Sequence, residues 1–287
     1  MFDYTFLLVL GSCIILSAAS SMIGLVVVLQ KESLVGDALA HAALPGVVIA
    51  FLLIGQKITL LLLLGAFISG IIAVILIYFI RKNVNLPFDG ILAVILSSFF
   101  GFGMVLLTFS QKLPNAAQAG LKSFIFGQAS AILLEDAYHI LIVSTIVFSL
   151  FLLFWKEIKI YVFDPLFAQT LGFNNTVIQL LISSLMMVTI ITQLQTVGII
   201  LTSSMLIAPG VAALQWTKDF KNAVMLAMVF GSVSATAGVI FSTIYANVPT
   251  GPAIIVVMSL FAIFSLIFGS RGTLQQHLKQ KKFLISK

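Results

Sequence analysis

The chain has 287 residues, of which 61% are hydrophobic and only 8% are charged, and its mean hydropathy is +1.20. This composition excludes a soluble globular protein. The net charge of +6 comes from basic residues scattered in ones and twos between apolar runs, which indicates membrane topology and argues against nucleic acid as a partner. The single cysteine, Cys13, excludes an intramolecular disulfide and a thiolate metal cluster.

The apolar runs predict nine transmembrane helices, because a crossing of the hydrocarbon core needs about 20 apolar residues. In chain order they are residues 4–29, 34–55, 58–80, 88–109, 136–155, 175–194, 196–215, 222–246 and 250–269. Pro45–Gly46 and Pro209–Gly210 interrupt the second and seventh runs, so eight spans is the alternative. The sequence therefore predicts an all-α, polytopic membrane bundle of eight to nine helices.

The basic residues predict the orientation of this bundle. Nine crossings place the two termini on opposite sides of the membrane, and all basic residues except Lys57, Lys112 and Lys122 then share one side. Because Lys and Arg are concentrated in cytoplasmic loops, that side is predicted to be the cytoplasm. The amino terminus is expected outside, and the basic tail at residues 272–287 is expected in the cytoplasm.

Two predicted loop regions contain apolar segments that do not span. Residues 121–134, in the outer loop, are too few to cross and are expected to lie across the outer face or dip into the membrane. Residues 161–173, on the inner side, are expected to form a short amphipathic helix. Asp164 is suited to its N-cap, Pro165 to its first turn and Gly172 to its end.

The inner amphipathic segment presents an apolar stripe. Phe163, Phe167 and Leu171 recur every four residues, which aligns them on one helical face. Either the bilayer surface or a partner protein could cover such a stripe.

Asp37 is the acidic residue that stands out, because it lies inside an apolar run while the others fall at helix ends or in loops. His41 follows four residues later, on the same helical face. A charged Asp in the bilayer costs about 2.5–3.5 kcal/mol, so its presence indicates a partner, a cavity or an ion. The alternative is that Asp37 caps the helix near its cytoplasmic end while His41 packs in the bundle.

The ligand chemistry of this pair is that of a divalent transition metal. Carboxylate oxygen and imidazole nitrogen suit Mn²⁺, Fe²⁺ or Zn²⁺ and suit Cu⁺ poorly. Two ligands are too few for a tight site, whereas a two-fold dimer would supply two Asp and two His.

A second group of polar residues, Glu135, Asp136 and His139, lies near the outer start of a helix. It is a candidate outer-face metal site, although acids at a helix start also complement the helix dipole. The sequence has no phosphate-binding G-x-x-x-x-G-K-[ST] loop, no H-E-x-x-H helix and no G-x-S-x-G elbow. Transport is therefore favoured over catalysis, and ATP hydrolysis is expected on another chain.

The segment from Gly24 to Leu53, GLVVVLQKESLVGDALAHAALPGVVIAFLL, resembles the permeases of divalent-metal ABC importers, the manganese, zinc and iron family. The family pattern is a basic loop followed by G-D-x-x-x-H-x-x-x-P-G. The resemblance extends over residues 118–136, 154–173, 194–213 and 249–252, so it covers nearly the whole chain to about Arg271.

The resemblance implies a permease domain at residues 1–271 with a fold similar to the vitamin B12 and siderophore importers. It implies a cytoplasmic ATPase dimer, an extracellular metal-binding lipoprotein and a second permease copy or paralogue as partners in a bacterial cell membrane. No permanently bound cofactor is expected. The transported ion is expected to be Mn²⁺, with Zn²⁺ or Fe²⁺ as alternatives.

The resemblance also assigns roles to individual residues. The F-D-P-x-x-A segment that couples these permeases to the ATPase corresponds to Phe163, Asp164, Pro165 and Ala168, with Phe167 between them. The motif residues associated with the metal pathway correspond to Asp37 and His41. Two other functions stay open at this point: an ion-coupled carrier or channel, and an intramembrane hydrolase using Asp37.

Overall fold

The computed structural model describes residues 4–56, 58–112, 127, 132–245 and 248–272, and these residues form eleven α-helices. The helices are α1 Tyr4–Leu29, α2 Ser33–Ile54, α3 Thr59–Asn83, α4 Phe88–Ser110, α5 Leu134–Leu153, α6 Trp155–Phe163, α7 Pro165–Thr170, α8 Asn175–Thr196, α9 Ile199–Leu214, α10 Phe220–Ile244 and α11 Thr250–Phe268. The predicted outer segment at 121–134 and the basic tail lie almost entirely outside the described residues. The all-α fold class is confirmed.

Eight of the described helices are long and apolar enough to cross a membrane, namely α1 to α5, α8, α10 and α11. The seventh predicted span corresponds to α9, whose 16 residues extend only about 24 Å. Both ends of α9 nevertheless pack against the matching ends of α11. Gly251 contacts the backbone of Val197 at one end, and at the other Trp216 Nε1 donates to Ser265 Oγ at 3.0 Å. We therefore count α9 as a ninth helix running between the two faces.

The basic residues separate onto one face of the bundle. This basic face carries the α1–α2, α3–α4 and α9–α10 connections, together with α6, α7 and the end of α11. The basic residues placed there are Lys31, Arg81, Lys82, Lys156, Lys159, Lys218, Lys221 and Arg271, whereas among the described residues the opposite face has Lys112 alone.

Glycines permit the close helix crossings that build the centre of the bundle. Gly24 of α1 lies directly against the backbone of Leu206 in α9, and Gly46 of α2 lies against that of Gly65 in α3. At the second crossing Ser69 Oγ donates to the carbonyl of Ala42 at 2.7 Å. Without a large hydrophobic driving force between helices in lipid, small residues and such hydrogen bonds stabilise the packing.

The predicted interruptions at the two prolines are absent, because α2 and α9 each continue through their proline. Pro45 cannot donate to the carbonyl of His41, four residues earlier. Contacts with neighbouring helices compensate in this region, since Leu44 and Pro45 pack against Gly103 of α4. The span predicted at residues 34–55 is therefore one continuous helix on both sides of Pro45.

No helix is predicted over residues 156–160, between the fifth span and the amphipathic segment, whereas α6 begins at Trp155 and continues through them. Trp155, Ile158 and Val162 follow helical spacing, and Ile158 is fully buried. That periodicity was the signal for α6.

Candidate functional site

Asp37 and His41 lie in the first half of α2, nearer the basic face than the opposite face. Asp37 is the fifth residue of the helix, about 6 Å from its start, and His41 lies one turn deeper. Small residues surround the pair: Gly36 packs against Leu206, while Ala38, Ala40 and Ala42 are fully buried against neighbouring helices. The side of α2 that carries the pair is left less crowded.

The two side chains face each other across one helical turn. His41 Nε2 lies 3.5 Å from Asp37 Oδ1, which is long for a direct hydrogen bond. Two ligand atoms bound to one ion at about 2.1 Å and at a tetrahedral angle would lie about 3.4 Å apart. The observed spacing therefore fits two ligands of a single divalent ion without rearrangement.

The pair is open on one side and enclosed on the other. The Asp37 side chain is 33% exposed and that of His41 is 14% exposed. The ring of Phe100, from α4, meets the imidazole edge to face at 4.7 Å. His41 Nδ1 is buried and has no hydrogen-bond partner among the described residues. The described residues contain no group of three His, Cys, Asp or Glu that could hold a metal ion, so among them the pair offers two candidate ligands.

The helix-capping alternative for Asp37 finds no support in these contacts. The residue at the N-cap of α2 is Glu32, and its side chain makes no cap hydrogen bond there. The polar side chain that faces Asp37 is His41, at 3.5 Å.

The outer acidic group occupies the start of α5. Asp136 is buried, and its Oδ2 accepts from the backbone N–H of Leu133 at 3.1 Å, while Glu135 and His139 are exposed. This hydrogen bond satisfies a free donor at the helix start. The contacts of Asp136 are those of a helix cap, and a metal role for the group stays a prediction.

The predicted amphipathic segment forms two short helices on the basic face. Asp164 has an extended backbone, as expected for a residue before proline, and separates α6 from α7. Its Oδ1 accepts from the Phe167 N–H at 2.9 Å, and Pro165 begins α7. Gly172, with φ +85°, terminates α7. Because α7 starts at Pro165, Phe163 belongs to α6, and the stripe is shared between two helices.

An open groove of about 610 Å³ lies between α6 and α7. It is lined by Trp155, Lys156, Lys159, Ile160, Phe163, Asp164 and Phe167. Leu166, Phe167 and Leu171 project apolar side chains from α7 with at least half of their surface exposed, whereas Ala168 is buried. Trp155 and Phe163 pack on Phe220, the first residue of α10. An exposed apolar surface of this kind is typical of a site that binds another protein or the membrane surface.

Sequence reasoning missed a polar network on the same face. Glu32, Gln179 and Tyr161 are joined by hydrogen bonds across three separate parts of the chain. No motif or local spacing brings these residues together.

Comparison with known proteins places the chain in a family. A model of the ABC 3 transport family matches residues 1–269. The zinc transport system membrane protein TroC of Treponema pallidum is 40% identical over 281 residues, which span 98% of this chain and 94% of that protein. The manganese transport system membrane protein MntC of Bacillus subtilis is 38% identical over 259 residues, which span 90% of this chain and 60% of that protein.

Solved structures agree with this placement. PsaBC from Streptococcus pneumoniae, solved in complex with a Fab, superposes with a TM-score of 0.84 at 27% identity, covering 97% of this chain and 96% of that one. A metal-chelate type ABC transporter in an inward-facing conformation superposes with a TM-score of 0.69 at 14% identity, over 90% of this chain and 84% of that one. The second likeness concerns the fold alone. The fold and the match across nearly the whole sequence thus confirm the expected family: the chain belongs to the ABC 3 transport family.

Proposed function

We propose that this chain is the membrane permease of an ATP-driven importer for a divalent transition metal, with Mn²⁺ as the preferred ion and Zn²⁺ as the alternative. The observation that carries the proposal is the Asp37–His41 pair, held 3.5 Å apart inside an apolar helix of a protein of this family. The donor set favours neither ion by affinity alone, since Zn²⁺ binds such ligands more tightly than Mn²⁺ does. Similar proteins are named for zinc and for manganese.

A second permease copy, identical or paralogous, completes the ligand set. Two chains related by a two-fold axis would bring two carboxylates and two imidazoles to one ion. The partly exposed Asp37 side chain gives access to such an axis. Two negative charges would balance one divalent cation and lower the cost of moving it through the membrane.

The basic face is proposed to lie in the cytoplasm, where the positive-inside rule places it. The groove between α6 and α7 then faces the cytoplasm and is the docking site for a separate ABC ATPase dimer, which hydrolyses the ATP. The opposite face receives the ion from an extracellular metal-binding lipoprotein. Closure of the ATPase dimer displaces α6 and α7, and this displacement switches the metal path between its outward and inward openings.

The test is uptake of ⁵⁴Mn²⁺ and ⁶⁵Zn²⁺ in a strain lacking its own importer but expressing the ATPase and binding protein. Asp37→Asn and His41→Gln keep the size of each side chain and remove a strong ligand atom. Each is expected to lower uptake at least tenfold at limiting metal, since a dimer of two identical chains loses two of its four ligands. Asp89→Asn is the matched control, because Asp89 is exposed at the start of α4 and lies outside the pair.

The outcomes separate the assignments. Metal uptake at the wild-type rate in both the Asp37→Asn and the His41→Gln variant would refute the metal pathway. The proposed docking of the ATPase in the groove would not be affected. Metal flux into liposomes holding this chain without ATPase or ATP would refute the ABC mechanism and indicate a carrier or channel. Preference for one isotope in competition would decide between Mn²⁺ and Zn²⁺.

A further inference from the structure

A chain of hydrogen bonds on the basic face connects α6 to the start of α2. Tyr161 of α6 donates its hydroxyl to Gln179 Oε1 of α8 at 2.9 Å. The amide nitrogen of Gln179 donates to Glu32 Oε2 at 3.2 Å. Glu32 directly precedes α2, and Asp37 follows it by five residues. The groove helix is thus linked through one glutamine to the helix that carries the Asp–His pair.

The link is well ordered at the Glu32 end. The turn between α1 and α2 has the hydrogen bonds of a Schellman motif, with Glu32 N–H bonded to the Val27 carbonyl and Lys31 N–H bonded to that of Val28. Lys31 occupies its left-handed position with φ 61°, where glycine is the usual residue. A non-glycine residue persists in this region only when its surroundings hold it there, so the position of Glu32 is strongly constrained.

The contacts of Glu32 are unequal in strength. Its ion pair with Arg81 at 3.2 Å involves an arginine side chain that is 56% exposed, so solvent screens it. The Glu32 side chain itself is only 17% exposed, and Gln179 and Tyr161 are half-buried. Burial, followed by the nearby Glu32 carboxylate, raises the pKa of Tyr161 further above neutral pH, and the protonated hydroxyl is the donor to Gln179. The Tyr161–Gln179–Glu32 link is therefore the stronger connection.

We propose that this Tyr161–Gln179–Glu32 link is the coupling connection through which displacement of α6 and α7 reaches α2 and changes the access of Asp37 and His41. The inference rests on the proposed function. Gln179 is a positioning residue: it touches neither the ion nor the ATPase groove, and it acts by holding α6 and the start of α2 in register. Breaking the link should separate ATP hydrolysis from metal movement without preventing assembly.

The experiment uses the full complex of permease, ATPase and binding protein in proteoliposomes. Three quantities are measured: ATPase subunit retained per permease, ATP hydrolysed, and Mn²⁺ transported per ATP. Tyr161→Phe removes the hydroxyl but keeps the ring, and Gln179→Leu removes the amide contacts with Tyr161 and Glu32 together with a longer one from Gln30 Nε2 at 3.4 Å. Lys82→Gln is the control, since Lys82 is an exposed basic residue beside Arg81 and lies outside the link.

Both link variants are expected to retain the ATPase and its basal hydrolysis, while Mn²⁺ moved per ATP falls about fivefold, equivalent to ~1 kcal/mol. The double variant should fall no further than Gln179→Leu, because each breaks the same link. Glu32→Gln, which keeps an acceptor for Gln179, should be milder than Glu32→Leu.

Three results would overturn the inference: unchanged Mn²⁺ per ATP in both variants, independent falls that multiply in the double variant, or loss of the ATPase subunit, which would indicate a docking role. A wild-type complex without ATP-dependent uptake would instead refute the proposed function, and this inference with it.

Discussion

The crossing of α2 and α3 beside the Asp–His pair provides a quantitative test of the fold. A methyl group added to Gly46 would lie 2.6 Å from the carbonyl carbon of Gly65 and 2.6 Å from Ser69 Cβ. The Gly65 carbonyl oxygen lies closer still, so an ordinary contact of at least about 3.4 Å requires the two helices to separate by roughly 0.8 Å or more. A rigid separation of that size would lengthen the 2.7 Å hydrogen bond from Ser69 to Ala42 to about 3.5 Å, which breaks it.

The expected cost of Gly46→Ala follows from these terms. Overpacking costs about 1–3 kcal/mol and the gain in helix propensity returns about 1 kcal/mol. With the broken hydrogen bond from Ser69 to Ala42 included, the free energy of unfolding falls by about 1.5 kcal/mol. This predicts a fall of about 3–6 °C in the midpoint of thermal unfolding. Thermal unfolding in detergent at a fixed scan rate measures it.

The matched control is Gly101→Ala, on the exposed side of α4, where nothing lies within 4 Å of the added methyl group. This variant is expected to keep or raise the midpoint, because only helix propensity changes. A wild-type midpoint for Gly46→Ala would refute the close α2–α3 approach. Equal falls in both variants would show that the effect has nothing to do with this crossing.

Three further substitutions test local features of the basic face. Asp164→Ala removes the cap of α7 at a cost of about 1 kcal/mol of local stability and should reduce co-purification of the ATPase severalfold. The control is Asp219→Ala, which removes the cap of the long helix α10 and should leave co-purification of the ATPase unchanged. Lys31→Gly removes the backbone strain of a side-chain-bearing residue in the left-handed region and should raise the unfolding midpoint by about 2–4 °C. A lower midpoint would show that Lys31 is not strained. Gly172→Ala, at φ +85° with open space around it, should lower the midpoint through backbone strain alone, and an unchanged midpoint would contradict this.

The membrane helices were predictable because each is a local property of the chain. About 20 consecutive apolar residues specify a membrane crossing independently of the neighbouring helices. Every predicted span has a matching helix in the structure. The N-cap at Asp164 was predictable for the same reason, since capping involves residues three apart. The Asp37–His41 pairing, set by helical spacing, also follows from the sequence.

The predicted breaks at Pro45 and Pro209 failed because proline removes one hydrogen bond but does not determine whether packing compensates. In the structure α2 is continuous, and Pro45 and Leu44 pack against Gly103, which is distant in the chain. The stripe of Phe163, Phe167 and Leu171 was expected on one helix, and the backbone at Asp164 divides it between two.

By itself, then, the sequence determined where the apolar helices lie along the chain, the segregation of basic residues to one face, and the spacing of Asp37 and His41. Only the tertiary structure decided that α9 reaches both faces alongside α11, that α2 lies against α3 without a break, and that Gln179 bridges Tyr161 and Glu32. The physical reason is the range over which each effect acts. Hydropathy, helical period and caps act within a few residues, whereas the side-chain network joins residues between 18 and 147 positions apart.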